Sequence, residues 1–478
     1  MLKRKIISMA IMTIAGLLYA KEPLLEDKTL TLQEAIDIAL ANNQKHNIAK
    51  TTVEIAKARH KQALSANYPS MDFTLSAIRK DKDPDFILKG DIELPQELSN
   101  ALALATAVSD EQKAQILQAI RLGVFPKQSL PLDLDIKLMQ RDIVTGTLNI
   151  NYPLYTGGKI SSVIKQADLA IRASNNDLKK SDDEIRFDIK NYYHSALLMQ
   201  NLDKLLGDMI ERMEFIRDLT QRLYTGGSMH VKKTDYLRTK LTLSMIKSNY
   251  SVVVSKEKEA KAALAYAMGV DYHSTFTLQA PKSDPAIPTH LNSLIQKAYI
   301  NNPLMNNLKI AEDIYNAKIK EAKSAYLPQV ALFGNTKRIQ YGLINDEDKN
   351  SWMIGIGAKI SLFEGFRTKN QVLEARLKKQ KISAQKCQYQ DALALQLKRV
   401  FFELKRSKEQ IDILKKSLKT AKENRELNIR AYQEDIVETK DVLEAQIMET
   451  MTWSDYYRAE YDYAKNLAKL QQLISQKL

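Results

Sequence analysis

The chain carries an internal duplication, and this limits the folds open to it more than any other feature. Leu32-Gln-Glu-Ala-Ile-Asp-Ile-Ala-Leu-Ala-Asn-Asn43 has the layout of Leu291-Asn-Ser-Leu-Ile-Gln-Lys-Ala-Tyr-Ile-Asn-Asn302. Each is followed by an Ala- and Lys-bearing stretch that closes at Tyr68-Pro69 or Leu327-Pro328. Further on, Tyr152-Pro153-Leu154-Tyr155-Thr156-Gly157-Gly158-Lys159 parallels Ile360-Ser361-Leu362-Phe363-Glu364-Gly365-Phe366-Arg367, and Thr234-Asp235-Tyr236-Leu237 parallels Lys440-Asp441-Val442-Leu443. Four landmarks in one order define two repeats, 29–280 and 289–475, joined by a Pro-rich linker at 281–288.

Within each repeat the period of the apolar residues changes. Residues 31–67 and 291–327 read as helices closed by proline, which cannot continue the hydrogen-bond ladder. Four segments then alternate with a period of two: 70–78, 142–153, 329–336 and 351–362. In the clearest, Val144, Gly146, Leu148, Ile150 and Tyr152 oppose Thr145, Thr147, Asn149 and Asn151; in another, Trp352, Ile354, Ile356 and Ala358 oppose Gly355, Gly357 and Lys359. Strands of this length, apolar on one side and polar on the other, suit a membrane barrel, and pattern alone also allows a half-buried soluble sheet.

The remaining elements are far longer. Residues 160–224 and 367–432 contain no proline and favour helix; at 1.5 Å per residue each would run roughly 95–100 Å. Ile185, Ile189, Tyr192, Ala196, Met199, Leu202, Leu206, Met209, Met213 and Ile216 step by threes and fours, near the coiled-coil period. Each helix turns, at Tyr224–Ser228 and Tyr432–Ile436, and returns as a shorter helix over 229–268 or 437–475. The expected fold is a β-barrel joined to an α-helical barrel, each protomer giving four strands and long coiled-coil hairpins. Four strands cannot close a barrel, and an open edge in lipid leaves backbone groups unpaired, so the protomer must oligomerise. Three copies give twelve strands, and two or four copies satisfy the same rule.

At the N-terminus, Lys3, Arg4 and Lys5 precede the apolar run Ile6–Leu18 and the small residue Ala20, the layout of a cleavable export signal over 1–20. The net charge of +14 is spread among acidic residues along the helices, which favours solvated helix faces over a nucleic-acid surface. Cys387 is the one cysteine, so no intrachain disulfide forms.

These doubled landmarks resemble the outer-membrane efflux protein family, the TolC-like channels, over nearly the whole mature chain. The residues that carry the resemblance are the Leu-x-x-Ala starts ending in Asn42-Asn43 and Asn301-Asn302, and the strand-to-helix junctions at Pro153, Gly157, Gly158 and Gly365. The segments after Asp235 and Asp441 add to them. The resemblance implies a homotrimer in the cell outer membrane with a helical part in the periplasm, contacting outer-membrane lipid. It also implies a passive exit duct for a tripartite efflux or type I secretion system, with a periplasmic adaptor and an inner-membrane efflux pump or ABC exporter as partners. It implies acidic rings at the channel entrance from Asp441 and Glu444, and an entrance latch drawn from Asp235, Tyr432 and Thr234. Val437 stands where relatives carry the latch's basic partner, and Thr234 or the shifted Lys232 and Lys233 are the replacements. The hairpin tips, Thr225, Gly226, Gly227, Ser228, Gln433, Glu434, Asp435 and Ile436, are the expected adaptor contacts.

Against the family layout, residues 79–141 form an insert whose counterpart between the second pair of strands is short. Its Leu98–Leu122 stretch has helical spacing, and capping the pore, meeting a surface partner and packing on itself all remain open. No metalloprotease, phosphate-loop or nucleophile-elbow motif is present, and the histidines, among them His46, His194 and His230, are scattered. The expectation is therefore no enzyme, no cofactor, no metal and no nucleic-acid partner. A soluble periplasmic coiled-coil adaptor or scaffold is the rival reading.

Overall fold

A computed structural model describes residues 25, 28–81, 85–137, 141–281, 290–341 and 349–476. The expected export signal and nearly all of the 281–288 linker lie outside these residues. The chain forms two compact units, one helical (1–64, 158–324 and 363–478) and one built on a sheet (65–157 and 325–362).

In chain order the described elements are β1 (Lys28–Leu30), α1 (Leu32–Asn42), α2 (Gln44–Ser65), β2 (Ser70–Arg79), β3 (Asp85–Glu93), α3 (Gln96–Thr106), α4 (Asp110–Arg121), β4 (Ser129–Lys137) and β5 (Asp142–Tyr155). Then come α5 (Lys159–Thr225), α6 (Lys233–Met268), β6 (Phe276–Leu278), α7 (Leu291–Asn301), α8 (Pro303–Lys323), β7 (Gln329–Tyr341), β8 (Lys349–Lys359), α9 (Arg367–Gln433) and α10 (Thr439–Ile474). The duplication extends to helix length: α5 and α9 have 67 residues each, and α6 and α10 have 36.

Within the helical unit α5 pairs with α6, α9 pairs with α10, and α10 also packs on α5. A hydrophobic cluster around Ile189, Tyr193, Leu264 and Met268 ties α1, α5 and α6 to the small parallel pair β1–β6. Tyr193 is fully buried, and its hydroxyl lies 2.7 Å from the carbonyls of both Leu30 and Gln279. The second repeat builds its own cluster around Leu397, Leu404, Tyr463 and Leu470.

The paired asparagines of the sequence landmarks explain themselves here. The stretches 31–67 and 291–327, read as single helices, are each broken at the second asparagine: Asn43 and Asn302 are extended, at ψ 126 and 124. Asn302 precedes Pro303, which bars the helical conformation at the residue before it, and its side chain caps α8 by accepting from the amides of Leu304 and Met305. In the first repeat Asn43 accepts from the amide of Lys45. Each asparagine then donates its amide to the last turn of the returning helix: Asn43 to the Ala267 carbonyl at 2.7 Å, Asn302 to that of Leu473 at 3.1 Å. The landmark is a splice between helices stacked end to end.

Here the two repeats diverge. α8 packs between α5 and α9, whereas its counterpart α2 buries Val53 and Ala56 and leaves most of its surface exposed.

The sheet unit has the strand order β2-β5-β7-β8, all antiparallel, so β2 and β8 are its edges. Register places Met71, Phe73 and Leu75 beside Ile150, Leu148 and Gly146, then Gly334, Thr336 and Arg338, then Ile354, Trp352 and Asn350. Ser70, Asp72, Thr74 and Ser76 share the other face with Asn149 and Asn151, and Asn335 donates to Asn149 on it. Strand β7 runs to Tyr341, beyond the expected end at 336.

The insert holds strands as well as helices. Besides α3 and α4 it holds an antiparallel hairpin, β3–β4, with Lys89 and Asp133 3.4 Å apart across it. The alternation Leu130, Leu132, Leu134 against Asp133 was its signal, obscured by Pro131. Buried Ser99 fastens α3 by donating to the Leu94 carbonyl and accepting from the Gln128 amide.

Candidate functional site

The residues singled out by sequence gather at the hairpin tips of the helical unit. Helix α5 stops where Gly227 takes φ +83, with the Ser228 amide bonded back to the Leu223 carbonyl. At the corresponding place after α9 stands Asp435 at φ +59, with the Ile436 amide bonded to Ala431. Asp is among the few residues that adopt this left-handed conformation readily, and here its side chain has a further use. Both Asp435 carboxylate oxygens lie 3.1 Å from the Ser228 hydroxyl, and His230 Nδ1 is 3.4 Å away. Ser228 and Asp435, placed separately in the two tips by sequence, are thus joined within one protomer. Thr225 and Gly226 close α5, while Gln433, Glu434 and Ile436 close α9.

Tyr432 is packed at the end of α9. It is 1% exposed, and its hydroxyl lies 2.8 Å from Thr220 Oγ1 and 2.9 Å from Thr439 Oγ1. Thr220 already donates its proton to the Ile216 carbonyl, so Tyr432 donates to Thr220 and accepts from Thr439. Both bonds are made within this chain. Asp235 in turn accepts from the Lys232 amide at 2.9 Å, at the start of α6 and next to Thr234. Val437 packs beside Tyr432, Val442 and Leu443 in an apolar tip cluster, so an apolar residue there suits a packed tip better than a charged one.

Asp441 is the repeat counterpart of Asp235 and does the same work, accepting from the Glu438 amide at 3.2 Å. Asp441 and Glu444 are both exposed, three residues apart on one face of α10, opposite buried Val442, Leu443, Ala445 and Gln446.

A buried charge cluster went unread in the sequence. Glu449 of α10 is 4% exposed, and its Oε2 lies 2.6 Å from Arg425 Nε of α9 and 3.9 Å from Arg212 Nη2 of α5. Arg212 Nε also donates to the buried Gln446 side chain at 3.2 Å. The signal was present: Val442, Gln446 and Glu449 fall on the stripe that α10 buries, and a carboxylate on such a stripe needs a cation.

The strand-to-helix junctions also repeat. Gly157 and Gly158 have φ +62 and +84, and Gly365 and Phe366 have φ +58 and +64, so each long helix starts after two left-handed residues. Pro153 sits at a bulge in the β5–β7 pairing. The histidines stay apart: His46 pairs with Asp182, and burial pushes the His194 imidazole down to about 4. Among the described residues no group of three or more His, Cys, Asp or Glu could hold a metal ion.

The second repeat, residues 294–476, matches the family model described as outer membrane efflux protein. Solved structures share the fold across both repeats. The Campylobacter jejuni CmeC outer membrane channel superposes with a TM-score of 0.71 at 17% identity, covering 93% of this chain and 85% of that one. The outer membrane protein VceC of Vibrio cholerae gives 0.70 at 15%, covering 93% and 96%. The open-state MtrE outer membrane channel of Neisseria gonorrhoeae gives 0.68 at 14%, covering 96% of each. No curated protein matches the sequence. The four-stranded sheet and the pairs α5–α6 and α9–α10 share the fold of these solved structures.

Proposed function

We propose that three copies of this chain form an exit duct in the outer membrane. Their sheets close a twelve-stranded barrel, and their helices close a tunnel in the periplasm that conducts solutes passively outward. The observation that carries this reading is the sheet face bearing Met71, Phe73, Leu75, Trp352, Ile354 and Ile356, whose side chains are 65–78% exposed in the single chain. Apolar side chains of this size exposed on one sheet face need cover, and lipid supplies it on a strand that is polar on its other side. Closure is needed twice. Edges β2 and β8 leave backbone groups unpaired, which lipid does not tolerate, and the exposed α2 lacks the second long helix that flanks α8. A sister copy supplies both. The rival reading, a soluble periplasmic adaptor or scaffold, leaves the apolar sheet face uncovered.

On this reading the tips at Thr225–Ser228 and Gln433–Ile436 meet a periplasmic adaptor, which couples the duct to an inner-membrane efflux pump or ABC exporter. Asp441 and Glu444 face the bore as two acidic rings that attract cations. Because Asp441 also caps α10, the clean variant is Asp441→Asn with Glu444→Gln, which removes charge and keeps a capping side chain. A charge pair about 4 Å apart in water is worth about 1 kcal/mol, so losing several carboxylates is expected to weaken block by multivalent cations at least about tenfold. Single-channel recording in planar bilayers reads this directly. Channels with unchanged block and unchanged cation preference would remove the acidic rings from the account and leave the duct standing.

A further inference from the structure

One contact on the polar sheet face is closer than side-chain packing normally permits. Phe333 of β7 lies in register with Gly355 of β8, and its ring reaches over Gly357 as well. A Cβ placed on Gly355 would stand 2.9 Å from Phe333 Cζ and 3.3 Å from Cε2, and one on Gly357 would stand 3.3 Å from Cε1. The ring therefore fills the volume that two side chains would occupy. Glycine inside a strand costs backbone entropy and packing, and it marks a place where another group approaches closely. The other aromatic–glycine neighbour in the sheet shows the contrast. On the apolar face a Cβ on Gly146 would meet the Phe73 ring at 3.7 Å, an ordinary contact that would admit a side chain. The neighbours of Phe333 on the polar face include Asn151, opposite it on β5, and Asn335 and Asn149, bonded to each other.

Resting on the channel reading above, which makes the polar face the inner wall, we propose that Phe333 sets the bore of the barrel at its height. Gly355 and Gly357 form a flat bed that holds the ring against the wall, so that three rings, one per copy, narrow the passage only by the thickness of a ring lying flat. A side chain at Gly355 takes that bed away. Backbone on β8 cannot yield, whereas the ring can, and it lifts off the wall into the passage.

The test uses the full-length protein in planar bilayers, with neutral polymers of graded size added on the barrel side and the largest polymer that still lowers conductance taken as the cut-off. Gly355→Val is expected to lower the cut-off, Phe333→Ala to raise it, and the double variant to return to wild type or above. A gel of unboiled samples shows which variants assemble, and Phe333→Ala keeps the proposal exposed if Gly355→Val does not. An assembled variant with an unchanged cut-off overturns the role of Phe333 while leaving the channel in place. Wild-type protein that gives no channels overturns the channel reading instead.

Discussion

Glu449→Ala is expected to lower stability by on the order of 3 kcal/mol, because it removes the buried carboxylate from a mostly buried guanidinium that then keeps only Glu426, at 3.4 Å. Arg425 is the residue that suffers: its side chain is 14% exposed and its Nε lies 2.6 Å from the lost carboxylate. Arg212, at 30% exposure and 3.9 Å, can turn part of its charge toward water and still holds Gln446, which keeps the loss toward the low end of the usual range. The cluster joins α5 of the first repeat to α9 and α10 of the second, so the effect falls on the cohesion of the two hairpins. A paired variant separates charge from packing. Replacing both partners, Arg425→Met with Glu449→Leu, removes the desolvation cost along with the attraction, and it is expected to recover most of the stability lost in Glu449→Ala. Unfolding in urea followed by far-ultraviolet circular dichroism measures both. Equal losses in the single and double variants would show that the pair is held by packing rather than by charge.

Gly269→Ala is the second large effect. Gly269 ends α6 at φ +70, and a Cβ there would stand 2.8 Å from both C and O of Asn42 and 3.1 Å from the Asn43 amide. Left-handed backbone costs a residue with a Cβ roughly 1–2 kcal/mol by itself, and the overlap with backbone that cannot rotate away raises the expected total to roughly 2–4 kcal/mol. Gly227 is the control. It has φ +83 and open space around the Cβ position, so Gly227→Ala should show the conformational cost alone, about 1 kcal/mol. Ser475, which ends the equally long α10, already occupies a left-handed conformation at φ +52 and donates its hydroxyl to Asp183. The second repeat therefore accommodates a side chain at the equivalent position. The same urea titration compares the variants, and equal losses for Gly269→Ala and Gly227→Ala would contradict the close splice between α6 and α1.

The architecture was legible because it rests on long periodic signals. Duplication, two proline-free stretches and alternating segments are read over tens of residues, and β2, β5, β7 and β8 with the paired long helices follow from them. What was illegible depends on single partners. The break at Asn302 was marked by Pro303, but the break at Asn43 has no such mark and is forced by a bond to Ala267 in a helix far along the chain. The bond from Tyr432 to Thr220 was unreadable because Thr220 is distant in sequence and lies in the other repeat. Glu449 was hidden by the many carboxylates around it, since only its place on the buried stripe distinguishes it from Glu444. Asp435 read as an exposed turn residue, and its left-handed backbone and its bond to Ser228 emerge only when both tips are placed together.

The central claim is that this chain is incomplete alone and closes its sheet with copies of itself in the outer membrane. Envelope fractionation followed by a denaturing gel of unboiled and boiled samples tests that most directly. The account predicts an outer-membrane fraction that migrates as a trimer until boiled and as a monomer afterwards. A monomer released freely with the periplasmic contents, running alike with and without heating, would contradict it.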